Sequence, residues 1–121
     1  MIKNYRDLRV WKAGIDLSVS VYKATEAFPK SEMFGLVSQM RRAACSVPAN
    51  VAEGFSRQYK TEFVQFLHIA KGSASELDTF VCLSERLGYL QADGAASLAQ
   101  QVDAIGKMLY GLISTLRKEN A

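Results

Sequence analysis

Four stretches of helical periodicity, each on the order of 25 residues and separated only by short breaks, constrain this chain more than any other feature. They fall at about residues 5–28, 31–58, 61–88 and 94–119. In the last, Leu98, Val102, Ile105, Leu109, Leu112 and Leu116 recur in alternating steps of four and three, the spacing of a heptad seam. Phe63, Phe66, Ala70, Leu77, Val81 and Leu87 keep similar spacing in the third, and Met33, Val37, Met40, Ala44, Val47 and Val51 in the second. Leu8, Trp11, Ile15, Val19 and Tyr22 trace the stripe of the first. At about 1.5 Å per residue these are rods of nearly equal length. Equal rods joined by short loops pack antiparallel to their neighbours. The predicted fold is all-α: an antiparallel up-and-down four-helix bundle, one domain over residues 1–121.

The punctuation agrees with that division. Phe28-Pro29 reads as a loop, Gly88 ends the third stretch, and Ala92-Asp93-Gly94 opens the fourth. Asn4, Ser31, Thr61 and Asp93 are candidate N-caps, since each short polar side chain can accept from an orphan backbone amide. Glu62 in a first turn and Arg117-Lys118 in a last turn suit the helix dipole. Pro48 is the exception. It lies inside the second pattern, removes a backbone donor and clashes with the carbonyl of Ala44, so the second helix is predicted to kink or break near Pro48. Ser46 or Asn50 is placed to satisfy a freed carbonyl. The surroundings read either as a kinked core helix or as a polar groove bordered by Arg41-Arg42, Asn50, Glu53 and Gly54.

Several functional classes drop out. No run of about 18 apolar residues exists to span a bilayer, and the start carries no apolar leader with a small-residue cleavage site. The expected compartment is the cytoplasm, with Cys45 and Cys82 as buried, reduced thiols. Two cysteines and the lone His68 cannot supply the usual four zinc ligands, so no metal is expected. The glycines are scattered rather than set in a phosphate loop, no serine sits in a nucleophile elbow, and no paired Glu-x-x-His unit of a di-iron bundle is present. The chain is expected not to be an enzyme and to need no cofactor. Glu53 and Glu76 are candidates to pair with Arg41 or Arg42 inside the bundle.

Two features point outward. Phe34, Leu36, Phe55, Val64, Leu67, Ile69, Phe80, Met108 and Tyr110 add apolar surface beyond one seam per helix. Such wide apolar faces on a small bundle suggest self-association. The net charge of +3 is concentrated: Lys3, Arg6, Arg9 and Lys12 oppose only Asp7 in the first twelve residues, leaving eleven charges of each sign in the rest. Arg41-Arg42 form a second basic spot and Arg57 with Lys60 a third. Clusters of this kind attract phosphate backbones. Lys3, Arg6, Arg9, Arg41, Arg42 and Arg57 are therefore the candidate nucleic-acid-binding residues.

The stretch Asp7-Leu8-Arg9-Val10-Trp11-Lys12-Ala13 resembles the opening signature of a four-helix-bundle family encoded in intervening sequences of bacterial large-subunit ribosomal RNA genes. The similarity continues through Phe28-Pro29, Glu32 and Gly35-Leu36, and is strongest from Gln39 to Gly54, across Arg41-Arg42-Ala43-Ala44-Cys45-Ser46-Val47-Pro48-Ala49-Asn50. It resumes at Phe63, Phe66-Leu67, Gly72-Ser73, Glu76-Leu77 and Leu87-Gly88-Tyr89, and covers about residues 5–90. The resemblance implies an antiparallel four-helix bundle, a homopentamer around a central axis, and basic surface suited to RNA or DNA. The accessory proteins of diversity-generating retroelements are similar, and that implies a reverse transcriptase and its RNA as partners. Arg41, Arg42, Asn50 and Glu53 then serve either packing and assembly or binding. Three readings follow: an oligomer that binds structured RNA, an accessory scaffold for an RNA-handling enzyme, and, least supported, an enzyme of unrecognised type.

Overall fold

The computed structural model describes residues 2–120, as four α-helices with no strand among them. Helix α1 spans Arg9–Thr25, α2 Leu36–Phe55, α3 Lys60–Arg86 and α4 Ala92–Asn120. Short 3-10 turns at Tyr5–Asp7 and Lys30–Glu32 precede α1 and α2. Each helix packs against the next in the chain, and α1 closes on α4. The direction alternates: Gly14 of α1 meets Pro48 of α2, Arg42 of α2 meets Glu76 of α3, and Ser20 of α1 meets Gln101 of α4. No helix is long and apolar enough to cross a membrane.

One hydrophobic cluster forms the core, with Leu17, Met40, Leu67, Leu77, Ile105 and Leu109 almost wholly enclosed. The α4 seam is the one the heptads predict: Leu98, Val102, Ile105, Leu109 and Leu116 are buried, Leu112 is half-buried, and Ile113 joins them. In α2, Val37, Met40, Ala44, Val47 and Val51 are buried, while Met33 lies exposed before the helix. The α1 stripe is displaced by about one residue. Val10, Gly14, Leu17 and Val21 face the core, and Ile15, Val19 and Tyr22 are exposed. In α3 the predicted Ala70, Leu77 and Val81 are buried, while Val64 and Leu67 take the inward positions expected for Phe63 and Phe66, and Leu87 is exposed. Small residues cause the α1 displacement: a Cβ on Gly14 would stand 3.0 Å from the Pro48 ring, so α1 turns its smallest residue to α2 at the closest approach.

Of the kink or break expected near Pro48, no break occurs: the helix carries Pro48 inside it and runs on to Phe55. Asn50 Nδ2 donates to the Ser46 carbonyl at 2.8 Å rather than relieving Ala44, and Ser46 Oγ lies 2.8 Å from Ser73 Oγ on α3. Three of the expected caps fall elsewhere. Asn4 caps the first 3-10 turn, but Ser31 lies within the second, and Thr61 and Asp93 lie inside helices α3 and α4. Gly88 does end α3: at φ 82° it takes the left-handed conformation, and Gly88 N–H donates to Glu85 O and Tyr89 N–H to Ser84 O, closing a Schellman motif. The motif presents Tyr89, which packs on Phe28 and donates its hydroxyl to Glu32 at 3.1 Å; that bond to a carboxylate holds the phenol above its ordinary pKa. At the opposite end Gly54 lets α2 approach α3, since a Cβ there would lie 2.7 Å from Phe66 Cβ. The α1–α4 seam is less well satisfied: Gln101 donates to Ser20 at 3.1 Å, and its buried Oε1 has no partner among the described residues. Both cysteines are free, and Cys82 is exposed rather than buried.

Candidate nucleic-acid interface

Antiparallel packing decides which basic residues meet. The start of α1, the end of α2, the start of α3 and the end of α4 share one end of the bundle, as the Phe55–Phe63 ring contact and the Lys60–Glu119 ion pair show. Lys3, Arg6 and Arg9 lie at or before the start of α1 and Arg57 just past the end of α2, so all four fall toward this end, with Arg9 on the side of α4 and Arg57 against α3. Arg41 and Arg42 do not; they lie about 20 Å further along α2, by its rise per residue.

At the shared end, Asn4 Oδ1 accepts from Arg6 N–H at 2.9 Å and shapes the turn Tyr5–Asp7. The Arg6 guanidinium rests over Trp11 and Tyr5, 5.6 and 6.0 Å from the ring centroids, while the two rings pack on each other at 5.5 Å. Trp11 is half-buried, between core and surface. Lys3, Arg6 and Arg9 are exposed, and none pairs with a carboxylate among the described residues. Arg57 is less available: it stacks on Phe66 at 4.8 Å and lies 3.5 Å from Glu53.

The second basic spot is occupied by intramolecular partners. Arg41 stacks on Tyr22 at 4.4 Å and donates from Nε to Thr25 Oγ1 at 3.0 Å. Arg42 pairs with Glu76 at 2.8 Å. That pair lies on the surface rather than inside the bundle, with side chains 55 % and 40 % exposed. One basic grouping escaped the charge pattern: His68 and Lys71 of α3 face Arg117 and Lys118 of α4 across a cleft. Its members lie some fifty residues apart in sequence, and the only local signal is the three-residue step from His68 to Lys71. No group of three or more metal-ligating side chains occurs among the described residues.

The four-helix bundle, with the basic residues that lead into α1 exposed, defines the class by its fold. The sequence model described as 23S rRNA-intervening sequence protein matches residues 6–111, and the chain belongs to that family. The match runs into α4, well beyond the stretch in which individual motifs are recognisable. A solved protein of unknown function from Bacteroides thetaiotaomicron, described as belonging to the S23 ribosomal protein family, has the same fold. It superposes with a TM-score of 0.80 at 23 % identity, covering 87 % of this chain and 95 % of that one. No curated protein sequence matches.

Proposed function

We propose that this protein is a non-catalytic, cytoplasmic, homo-oligomeric bundle that binds structured RNA through its basic end. The observation that carries the reading is that Lys3, Arg6 and Arg9 stand exposed at the start of α1 without a carboxylate partner among the described residues. Phosphates fill that role by releasing condensed counterions. The family's name, which ties it to 23S rRNA sequence, supports RNA as the polyanion. Self-association draws on the apolar side chains that α1 turns away from the core. Tyr22, Met33 and Phe34 border one shallow groove, with Phe34 96 % exposed, and Ile15 and Val19 share the Tyr22 face of α1. A pentamer is the proposed assembly, and it would repeat each basic patch around a ring.

Binding to ribosomal RNA fragments over a salt series tests the reading. Arg6→Ala with Arg9→Ala is expected to lower the log–log salt slope by about 1.4 to 1.8 and the affinity at 0.15 M salt by roughly 15- to 30-fold. Helicity and the mass by light scattering are expected to stay unchanged. Equal binding by parent and variant at every salt concentration would instead favour the second reading, an accessory subunit for a reverse transcriptase or other RNA-handling enzyme docked on the apolar α1–α2 groove.

A further inference from the structure

On α3, His68 and Lys71 are three residues apart; on α4, Tyr110, Ser114 and Arg117 follow in steps of four and three, and Lys118 lies four beyond Ser114. These spacings put each set on one helix face. The two sets line a cleft of about 360 Å³ with buried Ile113 beneath it. That volume is at the small end of the range of about 300–1,000 Å³ typical of small-molecule sites.

The chemistry of the lining is one-sided. Arg117 lies 3.1 Å from His68 Nε2. A guanidinium can only donate, so Nε2 is the acceptor in this contact, and the imidazole orients Arg117. Lys71, Arg117 and Lys118 supply three cations, and no carboxylate lines the cleft among the described residues. The adjacent acid on α4, Glu119, is taken by Lys60. Ser114 adds a hydroxyl. Tyr110 is 68 % exposed at the rim. Further along the same groove the character reverses: Lys71 and Tyr110 also border a second cleft that contains Asp78 and Asp103, where Lys107 is held by Asp103 at 3.2 Å. A long polyanion therefore cannot continue along the groove, and the basic part has room for a short stretch only.

Cations and a hydroxyl beside an exposed aromatic ring are the elements of single-strand recognition, in which phosphates are neutralised while a base stacks. We infer that this cleft binds an unpaired nucleotide of RNA, with the phosphate held by Lys71, Ser114, Arg117 and Lys118 and the base laid on Tyr110. The inference rests on the RNA-binding reading and adds a site that reads single-stranded loops or tails rather than duplex.

The test uses a fluorescein-labelled oligouridylate, followed by anisotropy over a salt series, with 5′-UMP titrated separately into isotope-labelled protein and followed by amide NMR shifts. All substituted side chains are exposed, so helicity by circular dichroism is expected to hold. Lys71→Ala with Arg117→Ala and Lys118→Ala is expected to lower the salt slope by about 0.7, the contribution of the one phosphate held there. Tyr110→Ala is expected to weaken binding by about fivefold or more at every salt concentration with the slope retained, and Tyr110→Phe to bind as the parent does. Unchanged oligouridylate binding in both the triple variant and Tyr110→Ala overturns the cleft while leaving the amino-terminal interface standing. Failure of every RNA to bind, with UMP still shifting the amides of Lys71 and Arg117, keeps the cleft as a nucleotide site and removes the RNA-binding reading. No response to either ligand overturns both.

Discussion

The arginines at the two ends of α2 are all engaged within the chain, but the cations around them are not. Near its start, Arg41 lies flat on Tyr22 with Thr25 as acceptor, and Arg42 is neutralised by Glu76. Past its other end, Arg57 stacks on Phe66 beside Glu53, while Lys3, Arg6 and Arg9 at the start of α1 have no acidic partner among the described residues. A cation's availability for a phosphate thus depends on what the neighbouring helix places beside it. Arg41 acts as a strut between α1 and α2, whereas Arg6, held against Trp11, keeps its charge outward.

The sharpest way to break this contrast is Arg41→Ala. It removes a charged hydrogen bond and a ring contact at a partly buried position, and is expected to cost about 1–2 kcal/mol of stability. Thermal unfolding would register that as a fall of several degrees, with RNA affinity unchanged. A drop in affinity without a change in melting would show that Arg41 belongs to the interface. Glu53→Gln works in the other direction. Removing the carboxylate beside Arg57 frees one cation, and RNA binding at 0.15 M salt is expected to tighten roughly fivefold with the slope steeper by about 0.7 to 0.9. The smallest effect is expected for Arg42→Ala. An exposed ion pair contributes about 0–1 kcal/mol, so melting should barely move and RNA binding not at all.

The number, order and direction of the helices were legible because four heptad-like stretches of similar length leave little choice once sequence neighbours must pack. The inward face was legible in α4, where leucines and an isoleucine mark it without competition. It was misread in α1, where large apolar residues draw the eye to Ile15, Val19 and Tyr22 while the actual contact is made by Gly14 against Pro48. A residue chosen for its absence of volume leaves no hydrophobic signal. In α3 the spacing puts Phe63 and Phe66 on the seam, yet they lie at the edge of the core, flanking Gly54, while Val64 and Leu67 take the interior. Charges were visible in the sequence but their pairing was not. Arg42 and Glu76 are 34 residues apart, and His68 and Arg117 are 49 apart. Only the helix register brings either pair into contact.

The seam between α1 and α4 has a consequence for the order in which the molecule assembles. Contacts between successive helices span short loops, whereas Ser20 and Gln101 are separated by 81 residues. Closing that long loop adds only a modest entropic cost, since the penalty grows with the logarithm of length, but the buried Gln101 oxygen returns no hydrogen bond to offset it. The α2–α3 hairpin, fitted around Gly54 and tied by Arg42–Glu76 and Ser46–Ser73, does not depend on that closure. Folding is therefore expected to begin in the middle of the chain and finish with the docking of α1. The same joint opens first under native conditions, so the amides of α1 exchange with solvent ahead of those in α2 and α3.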